Sequence, residues 1–400
     1  MESKISYEKI GQLISYALIL TMILFFLVDF IGKIGDRLHP PLAQISVWIK
    51  PIVFFFAGGA IYYFRHCIPR WVLIAFPALI ISFLLGQYFL PSEHSFLQQV
   101  AFNSKTLVWY LFPILIYPLV LFHTTLNIPL IKKVFEAIFI VNAIFAIAGL
   151  VLDIQLFGSY HHSRFGYNGL FRFSTHSSFL YMIYMFYFYI QLKTNFNRKY
   201  LLLYTLAIIL AAIAGSKLLF LFIFGLSLLL LPKPYNRIAI GAGIAVIAAL
   251  SIYQDWFMQH IIAPYFPVLA DVADKSGMAS MLFSERDILF QEGFLPYIQE
   301  KWSIMNVLFG GADFHLFRSQ FEFVDLFWFF GIIGTGIYLF FWYRMIYSHT
   351  HFSIAWLLFW LLVALAGNFF STITVTLTFL IFILLISRIH PSTQHINTTK

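Results

Sequence analysis

In HLFRSQFEFVDLFWFFGIIG, residues 315–334, His315, Arg318, Glu322 and Asp325 fall at i, i+3, i+7 and i+10. A helix through this stretch gathers all four side chains on one stripe, directly ahead of an apolar run. The chemistry on offer pairs a permanent cation with proton acceptors. A guanidinium matches the fork of phosphate oxygens, and a carboxylate or imidazole beside it can take a proton from an attacking hydroxyl, for a rate factor of about 100 to 10,000. Acids in a first helical turn also gain about 0.3 to 1 kcal/mol from the helix dipole, which accounts for Asp325 alone. It does not account for four polar residues on one stripe, where a charge at the centre of a membrane helix costs about 2.5 to 3.5 kcal/mol.

Two other stretches carry similar groups. GSYHHSRFGYNGLFRFSTHSSF, residues 158–179, sets Arg164 and Arg172 among His161, His162, Tyr167, Asn168 and His176. The region from Gln254 carries SERDILF around Arg286 and LFGGADF around Gly310. Each has a plainer alternative. Arginines near a helix start snorkel toward lipid headgroups, and Arg286 between Glu285 and Asp287 fits a surface ion pair worth little. Lys217, in AGSKLLF, is a cation at a tight turn, placed for snorkelling first and for a phosphate contact second. Metal and serine chemistry lack their patterns: HHSR has no H-E-x-x-H spacing and Ser177 no G-x-S-x-G elbow. Cys67 is the only cysteine, which excludes an intramolecular disulfide and a cysteine zinc site.

The elements that must position these groups are set by composition. The chain is 61% hydrophobic, 20% aromatic and only 10% charged, with a mean hydropathy of +0.84. Soluble domains use about 25% charged residues, so this composition marks an all-α integral membrane protein. Apolar runs of spanning length recur about twelve times. The fourth is read at Leu107 to Phe122, the ninth at Ile238 to Tyr253, and the tenth at Phe323 to Tyr343. The last two, Ile354 to Phe370 and Thr372 to Ser387, are divided by Gly367, Asn368 and Ser371. Gly331, Gly334 and Gly336 read as helix contacts rather than a hinge. Residues 1–400 form one membrane domain, with residues 254–322 as a large helical outward loop between the ninth and tenth helices. The first run follows Lys4 and Lys9, is too long for a signal peptide and has no A-x-A cleavage pattern, so it is retained as a helix.

Orientation follows from basic connectors. Arg65 with Arg70, Lys132 with Lys133, Lys193 with Arg198 and Lys199, Lys233 with Arg237, and then Arg344 mark alternate connectors as cytoplasmic. Asp36, Glu93, Asp153 and the 254–322 loop lie opposite, and both termini are expected in the cytoplasm. The net charge of +8 is scattered through short loops rather than interleaved with stacking aromatics, which argues against nucleic acid. The connectors are too short for a nucleotide-binding domain, and neither GxxxxGK[ST] nor GxGxxG in a strand-to-helix setting occurs. The expected site faces outward, and three segments converge there. Arginines bind a lipid pyrophosphate, an acid or histidine activates a sugar hydroxyl, and the cations replace a metal in stabilising the leaving group.

This layout resembles the O-antigen polymerase and O-antigen ligase superfamily of bacterial envelope glycosyltransferases. The likeness lies in a long outward loop late in the chain, an arginine near its start, LFGGADF within it, and EFVDLFWFFGIIG returning to the membrane. In letters it covers about residues 158–173 and 286–336. It implies a GT-C-like, metal-independent, inverting transferase of the bacterial inner membrane with a periplasmic active site and no cofactor. The implied donor is an undecaprenyl pyrophosphate-linked glycan, and the implied partners are membrane lipids, a chain-length regulator and a flippase. By position, Arg164 or Arg172 matches the arginine of the family's middle outward loop, and Arg286 the arginine of its long loop. Where ligases carry a His-Asn pair, this chain has Glu322 to Asp325, which resembles the polymerase branch. The expected catalytic set is Asp325, Glu322 and Arg286. Arg164, Arg172, Arg318, His315 and Lys217 are expected to bind the pyrophosphate or glycan. Ligase and lipid-linked sugar transporter are the rival expectations.

Overall fold

The computed structural model describes residues 7–63, 68–121, 125–160, 165–231, 241, 256, 259–260, 267–313, 318–347 and 353–387. The chain solves the membrane's demand that every backbone group be satisfied internally by forming helices. These are α1 (Tyr7–Arg37), α2 (Pro40–Tyr63), α3 (Arg70–Phe89), α4 (Phe96–Leu121), α5 (Ile128–Val151), α6 (Ser174–Thr194), α7 (Arg198–Ile213) and α8 (Lys217–Leu230). They are followed by α9 (Pro267–Phe283), α10 (Leu295–Lys301), α11 (Ile304–Phe309), α12 (Glu322–Tyr347), α13 (Ile354–Ala366) and α14 (Ile373–Ser387). Among the described residues no strand forms; Gly158 and Tyr167 make one isolated bridge.

Among the described residues, six helices, α1 to α5 and α12, are long and apolar enough to cross a membrane. α8, α13 and α14 are shorter apolar helices. The twelve expected spans therefore exceed what length and hydropathy support here, and the ninth lies outside the described residues apart from Gly241. The fourth begins well before its expected start, at Phe96, because Gln98, Gln99 and Asn103 form a polar first portion within the helix. The expected division between α13 and α14 is present: Gly367 and Asn368 adopt positive φ values of 58° and 69°.

α6 and α14 form the inner pair. Residues Ser177 to Tyr189 of α6 and nearly all of α14 are buried, as expected of helices that are apolar on every side. The connectors after α1, α3, α5, α7 and α13, together with the segments around α11 and before α12, meet at the end of the bundle where these two helices begin. Residues 165–173 are pinned there. Lys33, buried in α1, donates to Asn168 Oδ1 and the Gly169 carbonyl at 2.6 Å each, and Tyr167 N–H donates to the Ile213 carbonyl at 2.9 Å.

Two helical expectations change. Residues 318–321 are not helical; α12 starts at Glu322, and Gln320 turns with φ 61°. The stripe of four is thus replaced by a turn that still brings Arg318, Glu322 and Asp325 together. α12 is also broken at Gly331, with φ 65°. Its freed carbonyls find donors from elsewhere: Thr335 Oγ1 donates to Leu326 at 3.2 Å, Gly311 N–H to Trp328 at 3.2 Å and Ser82 Oγ to Phe330 at 2.9 Å. Gly331 and Gly334 are close contacts as expected, while a side chain at Gly336 would meet nothing within 4 Å.

Candidate functional site

The turn before α12 and the turn between α13 and α14 are zipped together. Glu322, fully buried, accepts the amide hydrogens of Phe369 and Phe370, both at 2.7 Å. Gly367 lies against the Gln320 carbonyl so closely that any side chain there would collide with it. Across this seam Arg318 Nη2 donates to Ser371 Oγ at 3.0 Å and stands 3.5 Å from Asp325 Oδ2. Asp325 is fully buried: its Oδ1 accepts the Ser319 amide at 2.8 Å and hydroxyl at 2.7 Å, while Oδ2 has no hydrogen-bond partner. Burial opposes the Arg318 charge and is outweighed by Tyr110, Asp325 and Glu322, so its pKa lies above the ordinary value.

Arg318 forms one wall of a cavity of about 500 Å³. The others come from Lys50 of α2, Trp109 of α4, Ser159 and Tyr160 of the connector after α5, the start of α6 from Phe173 to His176, and Asn368 with Ser371 to Ile373 at the start of α14. Two long helices thus open their N-termini onto it, each adding partial positive charge. His176 presents a buried Nδ1 that lacks a hydrogen-bond partner. Lys105 sits with its ammonium 4.8 Å from the Trp109 ring centroid. A cavity walled by an arginine, a lysine, hydroxyls and two helix starts suits a polyvalent oxyanion.

Lys50 is backed by Asp29 of α1. Its ammonium lies 2.6 Å from Asp29 Oδ1, and Asp29 also accepts from Ser46 and Thr374. Lys50 stands ten residues into α2, about 15 Å along that helix from its start at 1.5 Å per residue. Asp29 meets α14 at its second residue, Thr374, so the pair sits at the end of the bundle where that helix begins. The signal was present: Asp29 in FFLVDFIG and Lys50 in VWIKPIVFF are solitary charges inside expected spans, and such residues mark function more often than accident.

The other expected site residues are placed as follows. Arg172 is engaged by Asp36, Nε to Oδ2 and Nη2 to Oδ1 at 2.7 Å each, with its guanidinium 4.8 Å from the Phe173 ring centroid. It sits beside the cavity rather than on its wall. Arg286 turns inward and donates from Nη1 to the Leu365 carbonyl at the end of α13, at 2.7 Å. Burial lowers its pKa and Asp325 opposes that shift. It is neither a surface ion pair with Glu285 and Asp287 nor part of the cavity wall; Asp287 instead accepts from Ser280. Lys217 Nζ donates to Ser284 Oγ at 3.2 Å, tying α8 to the same turn. Arg164, His161, His162 and His315 lie outside the described residues. Among the described residues, no group of three or more His, Cys, Asp or Glu could hold a metal.

A second, mostly apolar groove of about 210 Å³, lined by Phe323, Trp342, Trp360 and Phe370 among others, lies next to the cavity. Phe370 lines the groove and Ser371 the cavity, so one turn serves both. No family model, no characterised protein and no solved structure matches this chain.

Proposed function

We propose that the chain is a membrane glycosyltransferase of the O-antigen polymerase type, joining lipid-linked repeat units. The observation that carries this reading is the cavity in which Arg318 faces the start of α6 across the start of α14. In the reaction, the hydroxyl of one lipid-linked repeat attacks the anomeric carbon of another. The bond from that carbon to the pyrophosphate oxygen breaks, and the pyrophosphate leaves as an anion. Arg318 and the two helix starts hold the developing charge. His176 Nδ1, in the tautomer that leaves it unprotonated, takes the hydroxyl proton. Asp325 orients Arg318, and Glu322, saturated by two amides, fixes the turn that carries it. The adjoining apolar groove supports a donor with a hydrocarbon tail. A ligase would use the same donor chemistry and differ in its acceptor.

The test is polymerisation of purified lipid-linked repeats in detergent. Wild-type protein should build a ladder of products, and Arg318→Ala and His176→Ala should each lose it per folded molecule, with a lowered melting temperature for Arg318→Ala, which strips the buried Asp325 of its partner. A full ladder from Arg318→Ala would remove the proposal. One observation favours a second reading, transport of lipid-linked sugars: α12 is broken at Gly331, a discontinuity that carriers share. Movement of labelled lipid-linked sugar across vesicles without new glycosidic bonds would select it.

A further inference from the structure

Lys50 enters neither the glycosyl transfer step nor the zipped turns, yet it is buried, lines the cavity and spends its charge on one carboxylate. That carboxylate is fully enclosed: Asp29 is 4% exposed and takes bonds from Lys50, Ser46 and Thr374. All three partners come from elements that build the cavity, Lys50 and Ser46 from α2 and Thr374 from α14. Thr372 and Ile373, immediately before Thr374, line the cavity themselves. The ammonium is thus shared between a fixed internal anion on one side and an open space with positive walls on the other.

We infer that Lys50 is an oxyanion ligand of this cavity, that the oxyanion is a diphosphate group, and that Asp29 is the counter-ion with which the bound diphosphate competes. The inference rests on the reading of the cavity as an anion site. Coulomb attraction at a low effective dielectric holds the Lys50 ammonium against Asp29 when the cavity is empty. When diphosphate enters, Asp29 retains the Thr374 and Ser46 hydroxyls, so the ammonium can share its three N–H donors with the newcomer. Asp29 thereby limits affinity, which suits a site that must release its diphosphate after each turn. A cation without this partner would hold the diphosphate longer.

The experiment is calorimetric binding of inorganic pyrophosphate, and separately of farnesyl pyrophosphate, to the full chain in detergent. Lys50→Met alone would leave a buried unpaired carboxylate, so the charge-free double variant Asp29→Asn with Lys50→Met is used beside it, with melting temperatures recorded for all. The double variant should bind pyrophosphate about tenfold or more weakly, the scale of a lost charge-assisted bond, and Lys50→Arg should retain binding. Asp29→Asn alone should bind about tenfold more tightly. Tighter binding of the farnesyl form assigns the site to a lipid headgroup, and equal binding to the free anion. If the double variant binds like wild type while Arg318→Ala does not, Lys50 is not a ligand although the cavity reading stands. Unchanged or weaker binding by Asp29→Asn overturns the counter-ion role. If wild type binds neither probe, the cavity reading and the inference fall together.

Discussion

Gly310 and Gly331 touch backbone to backbone, and neither position has room for a side chain. A Cβ on Gly310 would lie 2.5 Å from the Phe329 carbonyl oxygen, and one on Gly331 would lie 2.5 Å from the Leu308 carbonyl carbon. Both also hold positive φ, 83° and 65°, which L side chains adopt at a cost. The LFGGADF and FFGIIG stretches are therefore two sides of one crossing, completed by Gly86 of α3, where a Cβ would lie 2.6 Å from the Phe309 carbonyl oxygen.

Gly310→Ala and Gly331→Ala should each lower the melting temperature of the purified protein sharply, by more than the roughly 1 kcal/mol of an ordinary helical substitution. Gly336→Ala, in open space on the same helix, serves as the control and should melt like wild type. Thermal unfolding followed by circular dichroism decides it. Equal melting of all three variants would remove the crossing from the account of the fold.

Glu322 accepts two backbone amides, those of Phe369 and Phe370. Glu322→Gln places an amide NH2 where an acceptor stood, losing one charge-assisted bond of about 1.5 to 3 kcal/mol. Its expected effect is a lower melting temperature, with product formation per folded molecule close to wild type. A Glu322→Gln protein that is fully stable yet inactive would return this carboxylate to the chemistry.

Arg286 is expected to act as a strap. The Leu365 carbonyl it caps is among the last of α13, where a cation is favoured by the helix dipole, and Lys217 holds the neighbouring turn through Ser284. Arg286→Ala should speed amide hydrogen exchange around residues 284–300 and leave pyrophosphate affinity close to wild type, since Arg286 does not line the cavity. Loss of affinity without faster exchange would place Arg286 at the anion after all.

Arg318 should not be replaceable by lysine. Its fork bonds Ser371 Oγ through Nη2, which also faces Asp325, and a single ammonium cannot reproduce that geometry. Arg318→Lys is expected to fold like wild type and to cut product formation about a hundredfold, the scale of losing one positioned donor. Rates of ladder growth at saturating substrate measure it.

Much of this was legible in the letters. Apolar run lengths located α1 to α5 and α12, and the Gly367-Asn368 break divided α13 from α14 where expected. The seam was legible in part: Arg318, Glu322 and Asp325 do converge, although a turn at Gln320 rather than a helix gathers them, because Asp325 Oδ1 prefers the Ser319 amide and hydroxyl. Hydropathy averages hid Asp29 and Lys50, since one charge in twenty apolar residues barely moves a window. Spacing could not foretell Arg172 and Asp36, which lie 136 positions apart, nor that Arg286 would turn to a carbonyl of another helix. Long-range partners of this kind are fixed by how helices stack, which local periodicity does not encode.

The central claim is that the cavity between Arg318, His176 and Lys50 receives the diphosphate of a lipid-linked donor. A structure determined with undecaprenyl pyrophosphate bound tests it most directly. The account predicts phosphate density within hydrogen-bond reach of Arg318 and Lys50, with the hydrocarbon tail entering beside Phe370. Diphosphate density at the Arg172–Asp36 pair or at the Arg286 turn, with the cavity unfilled, would contradict it.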